Sequence, residues 1–479
     1  MNYCHWPFTT MVVLSDLTVV CGCTDPSKKR ILGNLKDGTV QDIWNGEPVR
    51  RLRDAQESGA DHPYCIDCHL GAHPTHPDCG VLQGRPDEGP QILQIEPCVR
   101  CNLRCPTDHC DQNNAGGTRD ADLMTLDDFK RIIDHAGPNL EVVRMYNYGE
   151  TFLNRDAYAM IAYLRETYPD VYIDAHTNGM PFNTQKDIEA LVDCGLDYLV
   201  LSIDGSEQES YEQYRRQGNL EKVLNNVARM TEYRNRRRLD RPYICWRYIL
   251  FHWNDSDAEM EKALQTARDI GVDQFVWLLN GADPAFGSRR FVPGTPEYET
   301  IAPYVWNTGG EGANALIPGL DRSAPGRLLD AAALHCDTTV IRCRSGEETV
   351  IRLDAENIGT MTWRPGVTAF QRGTVRAGFQ MFAPENPAPV VEGRSDPLPE
   401  SIQPGGSFST RIPVRIHAEP GSYRLKLDLV REMRYWFSDH GGECLWIPLE
   451  ILPDTSHDVT QDLSKGLLGA IRSWFRRKP

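Results

Sequence analysis

"QILQIEPCVRCNLRCPTDHC", residues 91–110, sets a short apolar run directly against four cysteines, Cys98, Cys101, Cys105 and Cys110. The run "QILQIE" reads as a strand, and the thiols then fall on the loop that leaves its C-terminal end. A metal ion closed by four thiolates makes a structural site. Three thiolates on a cubane cluster instead leave one iron open to an outside ligand. "CNLRCPTDHC" offers three at spacing C-x3-C-x4-C, on a loop too short to fold over the metal. The bland alternative is a structural zinc knuckle.

Downstream, strand and helix patterns alternate to about residue 280. "LDDFKRIIDHA", "RDAYAMIAYLRETY", "TQKDIEALVDCG", "LEKVLNNVARMTEYRNRR" and "DAEMEKALQTARDIG" carry helical periodicity. "LEVVRMYNYG", "VYIDAHTNG", "DYLVLSIDG", "PYICWRYILF" and "QFVWLL" read as strands. Six βα-type units predict an α/β fold, a parallel sheet curled into a partial (βα)6 barrel over 89–280. Active groups on such a sheet sit at the C-terminal strand ends, where the cysteine loop, "YGE", "TNG" and "SIDG" all fall.

The flanks differ in kind. Residues 1–85 are loop-rich, with a hairpin in "MVVLSDLTVVCGC" and a short helix from Val40. Residues 281–334 hold 14 Gly or Pro in 54 positions, about twice the average share, and read as a connector. Residues 335–453 carry short strands such as "TVIRLDAEN", "RAGFQMF", "FSTRIPVRI", "GSYRLKLDLVR" and "CLWIPLEIL", the pattern of an all-β sandwich. Residues 454–479 form a basic amphipathic tail, suited either to an anionic membrane surface or to the protein's own surface.

Composition narrows the function. With 51 Lys and Arg against 67 Asp and Glu, the net charge of -16 argues against an extended nucleic-acid surface. No stretch has the ~18 apolar residues of a membrane span and no signal peptide is evident, so a cytoplasmic location is expected. Ten of the 15 cysteines lie within residues 1–110, which points to metal chemistry rather than a disulfide framework. The run "RNRRRLDR", 234–241, reads as a solvated helix end. Trp246, Tyr248 and Trp253 read as packing, and so do Trp363, Trp436 and Phe437 in preference to a sugar-stacking platform.

"IEP" followed by "RCNLRCP" resembles the cluster loop of the radical S-adenosylmethionine superfamily, and the resemblance covers about 190 residues. It implies a [4Fe-4S] cluster with S-adenosyl-L-methionine, held by Cys101, Cys105 and Cys110. The family spacing would put the third cysteine at Asp108, so the loop has either a two-residue insertion or the ligand set Cys98, Cys101 and Cys105. "MYNYGETFLN" matches the family's Gly-Gly-Glu position, with Tyr148 in place of the first glycine. This implies cofactor contacts at Gly149 and Glu150. "HTNG" implies Thr177 or Asn178, while "LSIDG" with "YEQYRRQG" implies Ser202, Asp204 and Arg216.

"ILGNLKDGTVQDIWNGEPVRRLR", between cysteines, resembles the auxiliary-cluster module SPASM, here ahead of the radical domain. Cys4, Cys65 and Cys68, with Cys23 or Cys21, would hold a second [4Fe-4S] cluster. The alternative is zinc on His69, His73, His76 and Cys79. The β region resembles Ig-like domains of bacterial enzymes of polysaccharide or cell-surface metabolism. Together these imply cleavage of S-adenosylmethionine to a 5′-deoxyadenosyl radical and hydrogen abstraction from a glycan or glycolipid. An electron donor such as flavodoxin or ferredoxin would serve it. Peptide modification and a non-catalytic iron–sulfur scaffold are the competing expectations.

Overall fold

The computed structural model describes residues 4, 6–22, 25, 27–66, 68, 88–106, 119–279, 285–306, 330–365, 374–384, 386, 389–432, 435–440 and 442–453. Three N-terminal strands, β1 (Thr10–Val13), β2 (Thr18–Val20) and β3 (Ile31–Asn34), form a hairpin with one further edge strand. Six more follow at the expected places: β4 (Ile92–Ile95), β5 (Val142–Met145), β6 (Tyr172–Thr177), β7 (Tyr198–Ser202), β8 (Tyr243–Leu250) and β9 (Gln274–Leu279). Strands β4 to β9 pair parallel in chain order, with registers such as Ile92↔Val142 and Val142↔Tyr172.

Local chemistry accounts for the alternation. Helices Leu126–Asp134, Gln185–Asp193, Leu220–Arg236 and Asp257–Asp269 each start at a Thr, Asn or Ser. Its side chain accepts a hydrogen bond from the third helical N–H. Each buries an apolar stripe, such as Phe129, Ile132 and Ile133. Those stripes cover one face of the sheet, reached by Leu93, Val143, Ile173, Leu199, Trp246 and Phe275. Trp246 and Tyr248 are fully buried there, as packing residues.

The N-terminal segment does not stand on its own core. Strand β1 pairs parallel with β4 (Val13↔Ile95), extending one sheet to nine strands. Met11, Val13, Val19 and Trp44 join the same apolar cluster as Leu93 and Val143. A hairpin this small cannot bury enough surface alone, and the open edge of β4 supplies both backbone partners and a face.

The opposite, inner face meets the C-terminal region. There β10 (Ala332–His335), β12 (Glu348–Asn357) and β15 (Ser407–Arg415) form one sheet. Strands β11 (Ile341–Arg344), β13 (Val375–Phe382), β14 (Val391–Arg394), β16 (Gly421–Arg431) and β18 (Leu445–Leu452) form a second, with β17 (Tyr435–Trp436) on β16. Both sheets share a buried cluster that also takes in Ile92, Val142, Tyr172, Tyr198 and Tyr243 of the parallel sheet. Arg364 reaches Asp197 at 3.0 Å, and Tyr243 meets Tyr435 with ring centroids 6.5 Å apart. The β region thus covers the N-terminal half of the inner face.

Trp363, Trp436 and Phe437 are buried core, and among the described residues the exposed aromatic is Trp446. The expectation of a solvated 234–241 is corrected in part. Arg236, Arg237 and Arg238 are exposed, but Arg234 is buried, donating to Asp273 at 3.0 Å and to the Pro242 carbonyl at 2.8 Å. The helix end packs against the turn into β8, where a guanidinium is the group long enough to satisfy both acceptors.

Candidate active site

The C-terminal ends of β4, β5 and β6 bring three loops together. Glu150, at the end of "YGE", is 2% exposed. Its carboxylate accepts from Thr177 Oγ1 at 2.8 Å, from the Asn178 N–H at 2.8 Å and from the Phe152 N–H at 3.3 Å. Its own N–H donates to the Arg100 carbonyl at 2.8 Å, tying it to the cysteine loop. These donors are neutral, and burial outweighs them to push the Glu150 carboxyl up to about 7. A buried acid so placed is a seat for a cation.

Gly149 owes its place to close packing. A Cβ there would overlap the Cys98 carbonyl and the Val99 backbone, so a side chain would drive the two loops apart.

On the cysteine loop, Cys101 Sγ receives the Leu103 N–H at 3.5 Å and lies 3.8 Å from Asn178 Nδ2. Asn178 Nδ2 also donates to Asn102 Oδ1 at 2.9 Å. Cys105 Sγ lies 3.7 Å from Arg215 Nη1. N–H donors aimed at sulfur suit thiolate ligands of iron, whose potentials respond to such bonds. Leu103, Tyr214 and Phe251 surround Cys105 with apolar surface, and Met180 and Trp253 pack beside them. Cys98 points elsewhere: its thiol donates to the Arg100 carbonyl at 3.5 Å, and burial pushes it up to about 12. Cys110 lies outside the described residues.

Of the fourth-strand candidates, Asp204 is fully buried and accepts from the Ile249 N–H at 2.7 Å and from Arg215 Nε at 2.5 Å. Ser202 Oγ accepts from Arg247 Nη2 at 2.6 Å. Arg216 is exposed, and its neighbour Arg215 turns inward. Helix Gln208–Tyr214 ends just before this pair, and Gln217 adopts φ 68. The turn thereby decides which guanidinium faces Asp204.

Sequence reasoning also passed over Asn254, fully buried, whose side chain bonds Phe251, Ile249 and Asp204 backbone groups. Glu96 is another: its carboxylate holds Arg119, the Ser15 N–H and the Tyr148 N–H. Glu96 ends the run "QILQIE", the one signal that could have marked it.

In the N-terminal segment, Cys21 lies near enough to Cys4, Cys68 and Cys65 for mutual repulsion to add to burial in pushing its thiol up. Gln56 links two of them, accepting from the Cys4 N–H at 2.9 Å and donating to Cys65 Sγ at 3.5 Å. Among the described residues no three Cys, His, Asp or Glu side chains share metal-bonding geometry. Cys23, His69, His73, His76 and Cys79 lie outside those residues.

Residues 95–267 match the model of the Radical SAM superfamily, and residues 4–69 match that of SPASM, an iron–sulfur cluster-binding domain. No curated protein matches the chain. Among solved structures, a "TYW1 with a lysine-pyruvate adduct bound" is 16% identical, with TM-score 0.32, covering 44% of this chain and 72% of its own. Streptococcus suis SuiB bound to S-adenosylmethionine is 12% identical, with TM-score 0.30 and shares of 56% and 61%. A CARDB domain of the Pyrococcus furiosus PF1109 protein is 7% identical, with TM-score 0.18 and shares of 26% and 96%. With these two matched domains, this chain is a radical SAM iron–sulfur enzyme.

Proposed function

We propose that residues 89–280 form a partial (βα)6 barrel in which Cys101, Cys105 and Cys110 hold a [4Fe-4S] cluster beside S-adenosylmethionine, Cys98 standing by. The enzyme takes a hydrogen atom from a carbohydrate-type substrate. Glu150 carries this assignment. A buried acid with three neutral donors and a raised pKa fits the ammonium of a methionine moiety. When bound, the cluster and cofactor supply the electron and the carbon radical that removes the hydrogen.

The chain's own residues do the rest. Thr177 and Asn178 orient the Glu150 carboxylate, and Gly149 lets its loop close on Cys98. Arg215, fixed by Asp204, is the cation available to a cofactor carboxylate, a role the sequence had placed at Arg216. Leu103, Tyr214 and Phe251 keep water from the cluster loop. In the N-terminal module, 1–85, Cys4, Cys21, Cys65 and Cys68 are the proposed ligands of a second cluster. The nearness of Cys21 to Cys4, Cys65 and Cys68 supports it as the fourth ligand.

A hydroxylated substrate is supported by the polar residues on the inner face beyond the β region, among them Asn147, His176 and Ser202. The 335–453 region, read as an Ig-like domain after a 281–334 connector, fits the same substrate class. Peptide modification is the second reading, favoured by the SPASM match over 4–69. Flavodoxin or ferredoxin would donate the electron. No helix among the described residues is long and apolar enough to cross a membrane, and the 454–479 tail lies outside them. Anaerobic reconstitution followed by assay for 5′-deoxyadenosine tests the proposal. Cys105→Ala is expected to abolish the product, and undiminished product would sink it.

A further inference from the structure

The inner face changes character along the strands. Much of it is closed: Gln94, Arg144 and Asp174 are 3%, 8% and 5% exposed, and Val200 and Cys245, in register with His176, are fully buried. Toward the C-terminal ends of the strands, Tyr146, His176, Arg247 and Leu278 are partly exposed. The residues beside them on the helix-packed face, such as Ala175, Trp246 and Tyr248, are fully buried. The inner face is therefore accessible toward the C-terminal strand ends and closed elsewhere.

The lining of the accessible part is specific. Tyr146 and His176 stack with centroids 3.7 Å apart and planes at 7°, a paired aromatic flank. On the next strands, Arg247 donates from Nη2 to Ser202 Oγ at 2.6 Å, while its Nε is buried with no hydrogen-bond partner among the described residues. The facing charges leave a cationic surplus. Arg144 sits in register with Asp174, and Arg215 is bonded to Asp204. Glu150 lies at the cofactor loop, with its proton held by burial up to about 7. Arg247 has only a share of Asp204, and burial followed by the nearby Arg215 charge lowers its pKa. A guanidinium desolvated this far is costly until an anion meets it, and the planar fork of a partly exposed arginine matches an oxyanion.

We propose that Arg247, positioned by Ser202, is the anion-binding residue of the substrate site and takes a carboxylate or phosphate group beside the Tyr146–His176 pair. This rests on the radical SAM assignment and narrows the substrate to an acidic or phosphorylated molecule.

The test uses the full-length, anaerobically reconstituted protein with acetate and inorganic phosphate as probes. Cofactor binding is read by paramagnetic resonance of the reduced cluster, and probe binding by calorimetry at saturating S-adenosylmethionine. The wild type is expected to bind one probe, and the tighter of the two identifies the source of the oxyanion. Arg247→Gln is expected to weaken that probe at least tenfold, with cofactor affinity held within about twofold, and Arg247→Lys to fall between. The thermal midpoint of each variant reports folding. Loss of cofactor affinity in parallel with probe affinity would overturn the proposal, since Arg247 would then serve the cofactor's own carboxylate. So would unchanged probe affinity in both variants, or a wild type that binds neither probe. Failure of the wild type to bind S-adenosylmethionine at all would instead refute the proposed function.

Discussion

Glu96→Gln removes one charge from a pair in which neither side chain has any exposure. Arg119 donates to Glu96 from Nε at 2.9 Å and from Nη2 at 3.3 Å, and the Ser15 and Tyr148 N–H groups reach the same carboxylate at 3.3 Å each. Removing one partner of a buried pair costs about 3–5 kcal/mol, because the other charge is left uncompensated. Glutamine keeps one acceptor oxygen, worth about 1 kcal/mol, so a loss of about 3 kcal/mol is expected. Arg119→Met should cost a similar amount by stranding Glu96. The double variant removes both charges and should recover at least about 2 kcal/mol of the summed losses. Urea unfolding followed by tryptophan fluorescence gives the free energies. Hydrogen exchange at the Ser15 and Tyr148 amides should rise in the single variants, because the hairpin tip and the loop after β5 lose a shared acceptor. A single-variant loss below about 0.5 kcal/mol, or strict additivity in the double variant, would refute the idea that this pair clamps the hairpin to the site.

Glu150→Gln should weaken S-adenosylmethionine binding about 10- to 100-fold, as one charge-assisted hydrogen bond is worth ~1.5–3 kcal/mol; equilibrium binding to the reconstituted protein measures it. The Glu150 carboxyl, raised from 4.5 to about 7, keeps its proton in the empty fold. Stability of the ligand-free protein should therefore be greatest below pH 4.5 as far as this group is concerned. It should fall by up to about 3 kcal/mol as pH rises through 7, while affinity for a cationic ligand rises over the same window. Gly149→Ala should cost roughly 1–3 kcal/mol and impair cofactor binding, because the new Cβ meets the Cys98 carbonyl; thermal unfolding and binding read the two effects. Cys21→Ser should reduce bound iron from about eight to about four atoms per chain, whereas Cys23→Ser should leave it unchanged; an iron assay decides.

Much was legible before any coordinates, because local rules wrote it into the chain. Strands such as Ile92–Ile95 and Tyr198–Ser202, helices begun at Thr125, Thr184 and Ser256, and loops placed at strand ends all follow from periodicity and capping over a few residues. The clustering of Glu150, Asn178 and the cysteine loop follows from parallel strands in chain order, which put successive C-terminal ends side by side.

What the chain alone left open depends on contacts between distant segments. Strand β1 pairs with β4 across about 80 residues of chain, whose described part holds two strands and two helices, so no local signal announces that the N-terminal segment completes the sheet. The choice between Arg215 and Arg216 turns on one residue of helix phase and a left-handed Gln217. The company Cys21 keeps with Cys4, Cys65 and Cys68 arises because Gln56 and the β1–β2 strands bring the loops together. Arg247 reads in sequence as one more residue of a buried strand. Only the tertiary structure shows that it is partly exposed while Trp246 and Tyr248 pack on helices. The residue types determined which chemistry was possible, and the packing of remote segments decided which side chains face one another to perform it.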